Sequence, residues 1–427
     1  MKPKVLMLLA RTGFLRRSPP KRVRQWIFRA SRQPDTTVLE VSPKPRQLLI
    51  DVSVIHRHDA GTGIQRVVRS VLNHLEKNPP SGFTVRCVVA NHRQPYRYAD
   101  TLGQPELDKI NVHKNDIFLG LDLCAHLLPL HFNQLLKWKL AGISFHFVVY
   151  DILPLTHPLY FTRLNVNHFK RWAKLLAILS DGLLCISHCV RTEVQNWLQQ
   201  NTDLLPTQLL TTVIPLGGDL SRENSTDQPS KAVIEALAKL KGRPWALMVG
   251  TLEPRKGHAQ VLDAFELLWQ QGDNSSLVIV GRRGWKTDTL QQRILRHLQL
   301  NRNLFWFEAA TDADLEKFYN STTGVLGASV AEGYGLPLIE ALDHKKPLLV
   351  RDIPIFREIV GAGANYFTDD SPLTFSCTIQ YWLMNAKFTE VISNEPTRPT
   401  TWAQATIAIV HALGVETNTP QRHAVST

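Results

Sequence analysis

The strongest constraint on this chain is a pattern that occurs twice. Short apolar, β-branched runs alternate with segments long enough for helices. The first series comprises LLIDVSV (48–54), TVRCVVA (84–90), DIFLGL (116–121), SFHFVVY (144–150), GLLCIS (182–187) and TTVIPL (211–216). The second comprises WALMVG (245–250), SLVIVG (276–281), LFWF (304–307), GVLGAS (324–329) and PLLV (347–350). Runs apolar almost throughout suit strands of a parallel sheet covered by helices on both faces, and the intervening segments are long enough for crossover helices. Two such arrays in sequence predict an α/β protein of two doubly wound, Rossmann-like domains facing each other across a cleft.

A chain of 427 residues exceeds one ordinary core and suits two domains of roughly 150–200 residues. The segment DLSRENSTDQPSKAVIEALAKLKGR (219–243) turns polar and then helical, as a linker does. The expected organisation is a basic arm (1–46), a first Rossmann-like domain (47–225), a second (226–400), a packing helix TWAQATIAIVHALG (401–414) and a disordered tail (415–427).

Charge is concentrated at one end. Residues 1–46 carry twelve Lys and Arg against Asp35 and Glu40, which is +10 of a net charge of +12. A nucleic-acid binder would stripe its charge over the folded domains, so no nucleic-acid partner is expected. Within the arm, RRSPPKRVRQWIFRASR sets Trp26, Ile27 and Phe28 among cations. That composition suits an anionic membrane surface; a solvated tail is the alternative. No run approaches the roughly 20 apolar residues needed to span a bilayer, and VLMLLA is too short for a secretory signal. Five cysteines without framework spacing argue for a reducing compartment. The expected location is the cytoplasm, peripheral at the inner membrane face if the arm binds lipid.

Three clusters resemble metal sites without the ligand set of one. CISHC (Cys185, His188, Cys189) has no second ligand pair nearby, whereas a structural site normally needs four ligands. HRHD (His56, His58, Asp59) lacks helical ligand spacing. Asp312 and Asp314 follow Thr311 as a capping box would. No metal or other cofactor is expected.

The chemistry concentrates in glycine-bearing turns after strands of the second series. In VGTLEPRKGH, Gly250 ends a strand, and Arg255 and Lys256 precede an amphipathic helix. A glycine turn, cations and a helix N-terminus together suit a phosphate; a solvated turn with two surface cations is the alternative. In SVAEGYGLPLIEA (329–341), a loop follows a strand, and Pro337 suits the first turn of the next helix. Ligands of open α/β sheets bind at that edge. Gly333 and Gly335 permit close backbone approach, and Glu332 and Glu340 can enter one pocket from different depths, where carboxylates accept from sugar or ribose hydroxyls. A solvent-facing Glu332 and a helix salt bridge at Glu340 are the alternative. In the first series, DAGTGIQRVVRSVL (59–72) places Gly61 and Gly63 at a helix start, and Asp151 follows a strand end in FVVYDILPLTHP (147–158). Asp151 is a candidate for a substrate contact, or else caps its own turn.

These motifs, with IVGRRGW (279–285), DADLEKFYNST (312–322), VIPLGGD (213–219) and VRDIPIFREIVG (350–361), resemble in order and spacing the retaining GT-B glycosyltransferases of family 4. The resemblance covers about residues 48–414 and includes that family's pair of glutamates with seven residues between, Glu332 and Glu340. It implies that Arg255 and Lys256 hold the diphosphate of a nucleotide-sugar donor. Glu332 would bind the transferred sugar, beside backbone N–H groups from Tyr334 to Leu336, and Glu340 the ribose. It also implies that Gly61 and Gly63 face the donor phosphate and the acceptor. Two positions depart from the pattern: Tyr150 stands where many relatives carry His, and Thr251 replaces a common Arg. Similarity to bacterial polysaccharide mannosyltransferases implies GDP-mannose as donor and a saccharide or lipid-linked acceptor. It implies front-face transfer with retention, in which the protein positions and stabilises rather than deploying a glycosidase-like carboxylate pair. The competing readings are another GT-B enzyme, such as a phosphorylase or epimerase, and a basic nucleic-acid-binding α/β protein.

Overall fold

The computed structural model describes residues 45–59, 61–100, 109–202, 209–218, 228–368, 371–386 and 400–416. The basic arm up to residue 44 and the tail from 417 lie outside the described residues. Arg46, the last residue of the expected arm, opens the first strand.

Each apolar run forms a strand. The first sheet contains β1 (Arg46–Asp51), β2 (Phe83–Val89), β3 (Arg97–Ala99), β4 (Ile117–Gly120), β5 (Ser144–Val149), β6 (Gly182–Cys185) and β7 (Leu210–Val213). Their order is β3-β2-β1-β4-β5-β6-β7. All pairs are parallel except β2–β3, with registers such as Leu48↔Val85 and Leu48↔Ile117. The second sheet contains β8 (Trp245–Val249), β9 (Ser276–Val280), β10 (Leu304–Phe307), β11 (Gly324–Gly327), β12 (Leu348–Arg351) and β13 (Asn365–Phe367), in the order β10-β9-β8-β11-β12-β13. Every pair in it is parallel.

In both sheets the order runs outward from the first strand and then reverses. The reversal lies between β1 and β4 in one and between β8 and β11 in the other. At such a switch point the loops leaving neighbouring strands diverge to opposite faces and open a crevice at the carboxyl edge.

The strands β3 and β13 were not expected. Each is three residues long and carries too little apolar sequence to announce itself. β3 is held at the sheet edge by side chains: Arg86 lies over the Tyr98 ring at 4.5 Å, and the Tyr96 hydroxyl donates to Asp51 at 2.6 Å.

The chain divides into two compact units. One gathers the described residues of 1–155, 164–217 and 402–427, the other those of 156–163 and 218–401. The helix Trp402–Ala412 thus returns to the first unit, where it packs on the helix Gly63–Lys77. In the second unit the helix His258–Gln270 presses Val261, Leu262 and Phe265, all fully buried, onto sheet residues that include Leu277 and Leu326. Burial of each such side chain contributes about 1.5–3 kcal/mol. This core fixes the two loops that build the site.

Candidate active site

The site grows from the switch point of the second sheet. The loop after β8 carries Glu253, Arg255 and Lys256, the last two in a single 3-10 turn, Pro254–Lys256. Gly257 then takes a left-handed backbone, φ 75°, as the residue before the helix His258–Gln270. A Cβ at Gly257 would lie 2.4 Å from the carbonyl oxygen of Ala328, at the end of β11. The two loops approach too closely there for any side chain. They are stitched together as well, the Val330 N–H donating to the Arg255 carbonyl at 2.8 Å.

Around this junction the charges interlock. Arg255 donates to Glu332 Oε2 at 2.7 Å and to the Ala331 carbonyl at 2.9 Å, while its Nε faces Glu253 at 2.8 Å. Lys256 Nζ pairs with Glu332 Oε1, which also accepts from Ser329 Oγ at 2.8 Å. Burial alone would push the Glu332 carboxyl up, but Arg255 and Lys256 pull it down to about 2. Glu332 is therefore ionised at neutral pH. Its partners' side chains are 12% and 15% exposed, so both cations are largely buried yet still reach the surface.

Lys256, Ser329, Glu332 and Gly335 line a small pocket of about 30 Å³, together with His258 and Pro337. Two helices begin beside it, His258–Gln270 and Leu336–Asp343. Both start from left-handed glycines, Gly257 and Gly335 (φ 112°), with no side-chain cap. Neither start has a side-chain cap, although Pro337 has no N–H and the Leu338 N–H donates to the Gly335 carbonyl, and uncapped helix starts suit an anion. Arg351, on β12, braces the junction by donating to the Ala328 carbonyl at 3.1 Å and to Gln260.

Of the residues singled out from the sequence, Arg255, Lys256, Glu332 and Gly335 come together here. Gly250 has φ 147°, and the Lys256 side chain passes 3.6 Å from where its Cβ would stand. Gly333 is buried, and Tyr334 and Leu336 are half-buried in the same loop. Glu340 is buried on a different side of the helix Leu336–Asp343. It accepts from the Tyr319 hydroxyl at 2.7 Å and does not line the pocket.

Gly61, Gly63 and Asp151 belong to the first unit. Gly61 is left-handed, φ 63°, and its N–H donates to Asp59, which pairs with Arg69. Gly63 opens its helix behind a complete capping box of Thr62 and Gln65. Asp151 accepts the Leu153 N–H at 3.1 Å, capping its own turn. Beside it, burial and the Asp151 charge raise the Glu193 carboxyl to about 7.

Sequence reasoning missed Glu253, Ser329, His258 and Glu193. The first two lay inside motifs already quoted, within three residues of the acid or cation they contact. His258 is 2% exposed, and neither ring nitrogen has a partner among the described residues. Burial, then Lys256, lower its pKa to about 3, so the ring is neutral. Among the described residues no group of three or more His, Cys, Asp or Glu is arranged to hold a metal ion. Asp314 closes the capping box with Thr311.

Residues 230–396, which contain this whole constellation, match the family model described as glycosyl transferases group 1. The chain carries a group 1 glycosyltransferase domain. Over 348 residues, 79% of its length, the chain is 40% identical to the serotype-specific mannosyltransferase WbdA of Escherichia coli. It spans 43% of that relative, so it matches less than half of the longer protein. The O-antigen chain mannosyltransferase B of Escherichia coli is 25% identical over 224 residues, 52% of this chain and 55% of that one. Among solved structures, Anabaena HepE in complex with UDP-glucose aligns with TM-score 0.53 at 15% identity, covering 86% of this chain and 95% of that one. WaaG, a glycosyltransferase involved in lipopolysaccharide biosynthesis, aligns with TM-score 0.51 at 12% identity over 84% and 94%. The glycosyltransferase domain and the sheet preceding it thus have the GT-B architecture expected from the sequence. No helix among the described residues is long and apolar enough to cross a membrane.

Proposed function

We propose that the protein is a retaining glycosyltransferase. It moves a hexose, with GDP-mannose the favoured donor, from a nucleotide-diphosphate sugar to a saccharide or lipid-linked acceptor in bacterial surface polysaccharide synthesis. The observation that supports this reading best is the Arg255–Glu332–Lys256 triad at the second switch point, set between two helix starts that no side chain caps.

In this reading the donor diphosphate lies against the two cations and the helix N–H groups. Glu332, held ionised by those same cations, accepts from a hydroxyl of the sugar and sets the ring's orientation. As the bond to the anomeric carbon lengthens, negative charge grows on the diphosphate. A cation already fixed by a carboxylate needs no reorganisation to meet that charge. The acceptor hydroxyl attacks from the face the diphosphate leaves, and a donor phosphate oxygen takes its proton. No metal enters the scheme. The names of the relatives favour mannose, and peripheral association with the inner membrane face through residues 1–46 belongs to the same proposal.

The test is transfer of labelled mannose from GDP-mannose to a mannose-terminated acceptor, with Lys256→Ala alongside. Loss of one preorganised charge at a developing oxyanion lowers turnover about 10²–10³-fold, with donor affinity falling much less. Turnover left intact in Lys256→Ala would remove the assignment.

A further inference from the structure

The first unit has a charge cluster at its own switch point that the reading above does not use. His92 lies in the loop after β2, Arg57 ends the short helix after β1, and His126 lies in the loop after β4. His168 and Arg171 lie one turn apart on the helix Arg163–Leu179, which follows β5. The rings of His92 and His126 are 5.6 Å apart, and those of His126 and His168 6.3 Å. None of the three rings hydrogen-bonds another described residue, and neither arginine pairs with a carboxylate among the described residues. The charged neighbours of His126 are His92, His168 and Arg57; those of His168 are Arg171 and His92. Each of these charged neighbours is basic.

We propose that this cluster binds a phosphate or diphosphate group. Five basic side chains that repel one another and face no acid are poorly arranged for stability, but they suit an external dianion. Their place, at the carboxyl ends of β2, β1 and β4, is where an open sheet presents its crevice. The rings are not arranged around one metal ion. Burial and the neighbouring cations hold His126 and His168 below the usual histidine range. A bound dianion reverses that, so binding takes up protons and tightens as pH falls. The proposal rests on the glycosyltransferase reading for its role, in which the anion is a phosphoryl group of the acceptor. The site itself does not depend on that reading.

Sulfate is the probe, because it stays a dianion across the pH range and any pH dependence belongs to the protein. Calorimetric titration of the full chain should show sulfate binding that strengthens at least tenfold between pH 7.5 and 5.5. Arg57→Gln/Arg171→Gln, at two exposed positions, should weaken it at least tenfold, and His126→Gln/His168→Gln should abolish the pH dependence. Sulfate affinity unaltered in the arginine variant, or stoichiometric zinc binding by the three histidines, overturns the proposal. Co-sedimentation with phosphatidylglycerol against phosphatidylcholine vesicles assigns the source. Retention lost in the arginine variant points to a lipid-borne phosphate, and retention unchanged points to a soluble one. If sulfate binds as described but no nucleotide sugar does, the glycosyltransferase reading fails and the anion site stands.

Discussion

The two switch points solve the same electrostatic problem in opposite ways. At the second, between β8 and β11, acid and base are paired: Glu332 sits between Arg255 and Lys256, and Glu253 faces Arg255. At the first, between β1 and β4, they are segregated. Asp51 and Asp122 are 0% and 5% exposed beneath the edge, satisfied by N–H, O–H and, for Asp51, the Cys124 S–H donor. Asp51 accepts from Ser53 and Tyr96, and Asp122 from the N–H groups of Val54, Ile55 and Leu123. The basic groups Arg57, His92, His126 and His168 stand apart from them. One edge holds its shape by mutual neutralisation, and the other presents uncompensated positive charge. Their buried carboxyls move accordingly, Glu332 down to about 2 and Asp122, by burial above all, up to about 7.

Glu332→Ala breaks the paired edge and carries the largest expected effect. It leaves Lys256 without its counter-charge and Arg255 with Glu253 alone, which costs about 3–5 kcal/mol, read as a drop in the denaturant midpoint at pH 7. The pH dependence has a definite sign. A carboxyl depressed from 4.5 to about 2 contributes stability that is present above pH 4.5 and lost as pH falls towards 2. Wild-type protein should therefore lose its advantage over Glu332→Ala across that window. A stability difference flat from pH 5 to pH 2 would mean that the cations do not hold the acid.

Asp122 sharpens the contrast, because its linkage runs the other way. A carboxyl raised from 3.8 to about 7 keeps its proton in the folded state while the unfolded chain ionises. Its contribution is therefore full below pH 3.8 and lost progressively as pH rises to 7, by about 4 kcal/mol. Asp122→Asn removes that slope. It also turns an amide N–H₂ towards a backbone N–H, so the variant is less stable at low pH, by about 1–3 kcal/mol, and that deficit closes as pH rises towards 7. Unfolding midpoints from pH 4 to pH 8 decide the matter. A wild-type slope unchanged in Asp122→Asn would sink the assignment.

The contrast also separates what could be read in the sequence from what could not. Both sheets were legible because buried parallel strands must be apolar throughout, and all but β3 and β13 announced themselves that way. Arg255, Lys256 and Glu332 were legible because each lies within a few residues of a strand end, next to a glycine that only a close approach explains. The cluster of His92, His126, His168, Arg57 and Arg171 was not. Its members are scattered from 57 to 171 over four loops and helices, and only the strand order β2-β1-β4 makes them neighbours. Glu193 was hidden for the same reason. Its burial beside Asp151 depends on β5 and β6 being adjacent, whereas its own sequence, RTEV, is that of any helix surface. Glu340 was visible as half of a spacing, but its hydroxyl partner, Tyr319, comes from the preceding helix.

The helix starts at the two edges carry the same difference in milder form, and the smallest predicted effect. In the second unit Gly257 and Gly335 leave the first N–H groups without a side-chain acceptor, whereas in the first unit Thr62 closes the helix Gly63–Lys77 on itself. Its Oγ1 accepts from the Gln65 N–H, and Gln65 Oε1 returns the bond to the Thr62 N–H at 3.1 Å. The box occupies the N–H groups of Thr62 and Gln65, and it is expected to stabilise the helix. Thr62→Ala should cost about 1 kcal/mol in the unfolding midpoint, with sulfate and nucleotide-sugar affinities unchanged. A fall in nucleotide-sugar affinity beyond tenfold would show that this helix start meets the donor, as proposed for those after β8 and β11. The division of labour between the two edges would then have to be redrawn.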